Sequence, residues 1–106
     1  MNWILLIFAG LFEVGFTTCL KLSDGFSRWL PSVGFMVFAI LSFGLLNKVI
    51  KVIPLGTAYT VWTGIGAVGT VLVGIIFFKE SVDFWRVFFI LLLVGSVVGL
   101  KMISVE

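Results

Sequence analysis

Charged residues divide this chain into long apolar runs, and the length of those runs gives them their meaning. Trp3–Leu20 carries one charge, Glu13, while Trp29–Asn47 and Val52–Phe78 carry none. Crossing a hydrocarbon core roughly 30 Å thick takes about 20 apolar residues of helix. The final run, Val87–Leu100, has fourteen residues. It reaches spanning length as Phe84–Ile103, with Arg86 and Lys101 snorkelling to the interfaces. The pattern predicts four transmembrane helices, at about 3–21, 31–48, 57–78 and 84–103, in a single transmembrane domain over residues 1–106. The expected fold is all-α integral membrane.

The connections carry turn chemistry. Ser23-Asp24-Gly25 is a turn signal, and Pro31 suits the first turn of the second helix, where its missing N–H costs nothing. Pro54 disfavours helix at the residue before it, so Lys51–Gly56 reads as a short turn. Trp3, Trp29 and Trp85 are expected at the membrane edges, where tryptophan collects. The first segment lacks a basic start and a small-residue cleavage pattern, so it is expected to stay as a helix.

Composition agrees: of 106 residues, 61% are hydrophobic and 11% charged, more apolar surface than a soluble domain of this size can hide. With no phosphate-binding loop, catalytic dyad or basic stripe, neither an enzyme, a cofactor nor a nucleic-acid partner is expected. The chain has no His and one Cys, Cys19, so an internal disulfide is impossible and a structural metal site is not expected. Lys21, Arg28, Lys79 and Arg86 fall on one side of the membrane, against Lys48, Lys51 and Lys101 on the other. Four against three barely selects an orientation. Either a partner protein sets the topology or the chain inserts both ways, and dual insertion is the favoured reading.

Glu13 is the chemical outlier. Ten residues of helix separate it from Trp3, which places it about 15 Å deep, near mid-membrane. A carboxyl group there costs on the order of 3 kcal/mol, and the default reading is an ion or proton site. The plainer alternative is a neutral carboxyl hydrogen-bonded for packing. Thr17, one turn along, and Ser42 and Tyr59 from neighbouring helices are candidate hydroxyl partners. Gly10 and Phe16 share or flank the same helix face, and Tyr59 and Trp62 add aromatic faces that attract cations. Gly64 and Gly66 are either helix contacts or a hinge. Gly95 and Gly99 form a small-xxx-small pattern suited to dimer packing.

One four-helix chain has no room for a lined aqueous pathway. Two chains give eight helices and two facing carboxylates. If they pair antiparallel, they reproduce the inverted repeat from which many transporters are built.

The segment Gly10-Leu11-Phe12-Glu13-Val14, with Lys21, Gly25-Phe26-Ser27-Arg28 and Pro31-Ser32, closely resembles the small multidrug resistance (SMR) transporters. So does Pro54-Leu55-Gly56-Thr57-Ala58-Tyr59 leading into Trp62, and the likeness runs nearly the full chain. It implies an antiparallel, dual-topology homodimer, multi-pass in the bacterial plasma membrane, that exports small organic cations in exchange for protons at a shared pair of glutamates. Trp62-Thr63-Gly64-Ile65-Gly66-Ala67-Val68-Gly69, Lys79-Glu80 and Gly99-Leu100-Lys101 are similar to the guanidinium exporter subtype. Carried over, Glu13 would be the proton and substrate carboxylate, Ser42, Tyr59 and Trp62 would complete the site, and Gly10 would allow close approach. Guanidinium is planar and pairs with a carboxylate through two parallel N–H···O bonds.

Where that subtype usually has Trp, three residues after the glutamate, this chain has Phe16, then Thr17-Thr18. The Phe-Thr-Thr stretch resembles the drug-exporting branch, which keeps a quaternary ammonium or multidrug exporter as the alternative. A passive channel, an accessory membrane subunit and a paired heteromer are the remaining readings.

Overall fold

Four apolar runs become four helices because a backbone in lipid must satisfy its own hydrogen bonds. The computed structural model describes residues 2–103, as α1 (Asn2–Leu22), α2 (Trp29–Val49), α3 (Leu55–Phe77) and α4 (Phe84–Ile103). Each is long and apolar enough to cross a membrane. At 21 residues α1 rises about 32 Å, close to the thickness it must span.

The second and third helices begin two residues earlier than the runs predict. Pro31 is the third residue of α2, still among the positions whose N–H has no partner inside the helix. Pro54 is the N-cap of α3 itself, and its carbonyl accepts from Ala58 N–H at 2.9 Å, so the helix starts directly after it. The first connection turns through three successive left-handed residues, Asp24, Gly25 and Phe26. Buried Ser23 braces it by donating to Leu20 O at 2.7 Å and accepting from Phe26 N–H at 3.1 Å. At the start of α4, the Asp83 carboxylate accepts from Arg86 N–H at 2.8 Å and Arg86 pairs with Glu80 at 2.6 Å.

The molecule is flat, 44 × 35 × 17 Å. α1 packs on both α2 and α3, whereas α4 lies against α3 and buries no residue of its own. Pockets of about 290 and 390 Å³ along the α3–α4 seam leave α4 loosely seated. The core is small: Leu6, Ala9, Val49, Ile53, Ala58, Val61 and Trp62, with Trp3. Trp3, at the start of α1 where an edge residue was expected, turns inward. It is buried in the core at 8% exposure, with Lys101 Nζ 5.2 Å from its ring centroid, because α1 starts at Asn2 and draws the indole against α3 and α4. Trp29 and Trp85 are exposed. Many large apolar side chains outside the core are exposed, which suits lipid and not water.

Small residues set the close approach of α1 and α3. A methyl group added at Gly69 would collide with Val14, and one added at Gly10 would sit 2.6 Å from Ile65. Gly69→Ala should therefore cost about 1–3 kcal/mol through overpacking. Gly44→Ala, where the added carbon meets nothing, should stay within about 0.5 kcal/mol. Thermal unfolding of the two variants in one detergent checks the contrast.

Candidate functional site

α1 and α3 run in the same direction, and their contacts climb both helices in step. Ala9 lies at the level of Trp62, Glu13 against Gly66, Val14 against Gly69 and Thr17 against Thr70. Steps of four keep each helix on one face, so the seam is a ladder of parallel rungs.

Glu13 occupies the second rung, half-buried. Its carboxyl group lies directly on the Gly66 backbone, in space that the side chain of any other residue would fill. Glu13 Oε1 is enclosed and makes no hydrogen bond among the described residues.

Two of the hydroxyls expected around it, those of Thr17 and Ser42, have partners elsewhere. Thr17 donates to Val14 O at 3.0 Å and shares a 2.8 Å hydrogen bond with Thr70, because a helical threonine reaches its own preceding turn more readily than the next side chain. Ser42, fully buried on α2, donates to Ala9 O at 2.7 Å and accepts from the Trp62 indole N–H at 2.9 Å. The Ser42 proton and the indole proton are both committed within the chain. Ser42 thus fixes the plane of Trp62, and what Trp62 offers a guest is its ring face.

Around that indole runs an aromatic wall that the sequence did not announce. Trp62 lies 5.8 Å from Tyr59 and 5.4 Å from Phe43, centroid to centroid. Phe43 stacks on Phe16 at 5.9 Å, and Phe16 meets Phe35 edge-on at 5.7 Å. Phe16, Tyr59 and Trp62 were expected site residues; Phe35 and Phe43 were not. Phe43 directly follows Ser42, yet twelve phenylalanines give no reason to choose it until helices meet. Tyr59 is 56% exposed, so it borders the site without closing it.

The glycines have other duties than flexing alone would require. α3 is continuous through Gly64-Ile65-Gly66, with Gly66 under the carboxyl and Gly64 against Val97 of α4. Gly10 admits Ile65 to the face of α1. A methyl group added at Gly95 or Gly99 would meet nothing within 4 Å, so both lie open along α4.

A carboxyl group lodged between two of four helices long and apolar enough to cross a membrane, one helical turn from the aromatic cluster at Trp62, defines a small multi-pass membrane protein with an intramembrane acid. The chain matches the family described as Small Multidrug Resistance protein over residues 1–93 and belongs to it. It is 44% identical over 104 residues to a protein of Proteus vulgaris named guanidinium exporter, covering 98% of this chain and 100% of that one. Proteins of the same name from Yersinia pestis and Escherichia coli K12 are each 46% identical. They cover 98% and 96% of this chain, and 100% and 97% of their own lengths.

Ser42→Ala tests how the indole is fixed. Loss of the acceptor leaves a buried N–H unpaired, at about 1–3 kcal/mol. In ¹⁵N-tryptophan spectra the Trp62 indole proton should exchange at least about tenfold faster in the variant, as expected for a locally opened site.

Proposed function

We propose that this protein exports guanidinium-type cations in exchange for protons, by alternating access, as an antiparallel homodimer in the bacterial plasma membrane. The observation that carries the reading is the Glu13 carboxyl group, seated on Gly66 one helical turn from Trp62, with one oxygen free of any bond within the described chain. A carboxylate buried in lipid needs a counter-charge, and a proton or an organic cation can supply it. Both cannot occupy the same oxygens at once, and that exclusion couples export of one to import of the other.

Guanidinium suits the acid because its planar donors match two carboxylate oxygens. The faces of Trp62, Phe43 and Phe16 add cation–π attraction, stronger in a desolvated site. The guanidinium exporters of Proteus and Escherichia support this substrate class. The stacked Phe16 and Phe43 also favour a second reading, export of quaternary ammonium cations, which have no N–H donors and bind through ring faces alone. Competition between guanidinium and tetraethylammonium separates the two.

Two chains are proposed because one is too thin to enclose the site: the molecule is 17 Å across, and α4 exposes its Gly95 and Gly99 stripe. The near-equal distribution of Lys and Arg supports opposite insertion of the copies. Each copy would bring its own Glu13, and rocking of one copy against the other would move access from one side to the other.

Lower pH should weaken guanidinium binding, because a protonated carboxyl group cannot hold the cation. The apparent affinity should fall towards about tenfold per pH unit for each proton displaced. In proteoliposomes, Glu13→Gln should abolish guanidinium uptake driven by a pH gradient. Uptake that persists in that variant would contradict the assignment.

A further inference from the structure

Beyond Glu13, the α1–α3 seam continues upward in hydroxyl chemistry. Thr17 and Thr70 share a 2.8 Å hydrogen bond on the next rung. Thr17 is one turn past Glu13 on α1, and Thr70 is one turn past Gly66 on α3, so the pair sits directly above the carboxyl group. Neither hydroxyl is needed to tie the helices, because glycine contacts already bring them together at Gly10 and Gly69.

Past the pair is a pocket of about 50 Å³, lined by Thr17, Thr18, Lys21, Thr70, Phe78 and Glu80. Here the seam meets the charged side chains of Lys21 and Glu80. Lys21 from α1 stands over the Phe78 ring at 5.1 Å. Glu80 folds back over Gly74 at the end of α3 and pairs with Arg86 of α4. Glu80 is 41% exposed, so this end opens to the aqueous side. A water needs only about 10–15 Å³ and two to four polar partners. The pocket has the volume for one water, and Thr70, Lys21 and Glu80 on its lining are the candidate polar partners.

We infer that Thr17 and Thr70 form a hydroxyl relay that passes protons between this Lys21–Glu80 pocket and Glu13. The inference rests on the proton coupling proposed above. A proton from a hydronium in the pocket goes to Thr70 Oγ1 as Thr70 gives its own to Thr17. Thr17 turns from Val14 O and hands its proton to the Glu13 carboxylate, directly or through one water. Each hydroxyl ends neutral, one water is released, and one proton has moved one place along the line. Release runs the same steps backwards. Valine at either position keeps the shape and removes the conductor.

Thr70→Val, reconstituted in proteoliposomes, is the test. Two rates are compared: guanidinium uptake driven by a pH gradient, and guanidinium–guanidinium exchange at equal pH, which moves the same helices with no net proton. The proton-driven rate should fall about tenfold or more relative to the exchange rate, and Thr70→Ser should restore the ratio. Thr70→Ala should behave as valine does, which guards against a misfit of one side chain. Equal slowing of both rates would show that the pair is only a clasp, and an unchanged ratio would show that protons travel elsewhere. Either result overturns the relay. If the wild-type protein shows no proton-driven uptake at all, the function proposed above fails first and the relay falls with it.

Discussion

The structure depends on how a carboxyl group is accommodated in the middle of a membrane-spanning helix. Such a group costs on the order of 3 kcal/mol to insert, and the usual relief is a hydrogen-bonding partner or an opposite charge. Here the chain provides room instead of a partner. Gly66 leaves the space, the Thr17 and Ser42 hydroxyls have partners elsewhere, and Glu13 Oε1 stays unbonded among the described residues. An acid left with space and without a fixed partner is suited to guests that come and go. A fully satisfied one would be a packing element.

Rigid surroundings serve that exchange. Ser42 holds Trp62 by one hydrogen bond and Ala9 of α1 by another, so three helices are pinned at the level just below the carboxyl group. The indole face, Phe43 and Phe16 then present a fixed wall. By contrast α4 buries nothing and touches mainly α3. Tight packing around α1 and loose packing at α4 separate the candidate binding elements from those that the proposed dimer would use.

Much of this was legible beforehand, and the reason is physical. Lipid demands uninterrupted apolar length, so four spans could be read from the absence of charge, and Glu13 stood out as the exception. The same spans carry little positional information inside them. Phe35 and Phe43 differ from ten other phenylalanines only by where α1 and α2 meet, which no local pattern encodes. Helical spacing shows which residues share a face, not which acceptor a hydroxyl takes; for Thr17 it is the nearby Val14 carbonyl. Trp3 was expected at the membrane edge, and that it also joins the core could not be read in advance, since only packing decides. The role of Gly66 was hidden for the same reason: a glycine that makes room for a carboxylate looks, in sequence, like one that bends a helix.

The most direct test of exchange at Glu13 is calorimetry of guanidinium binding to the purified protein in buffers of different ionisation enthalpy, which counts protons released per cation bound. The account predicts release of about one proton or more per bound cation near the carboxyl group's titration, and loss of both release and binding in Glu13→Gln. Guanidinium bound with no proton released at any pH, or bound equally well without the acid, would contradict it.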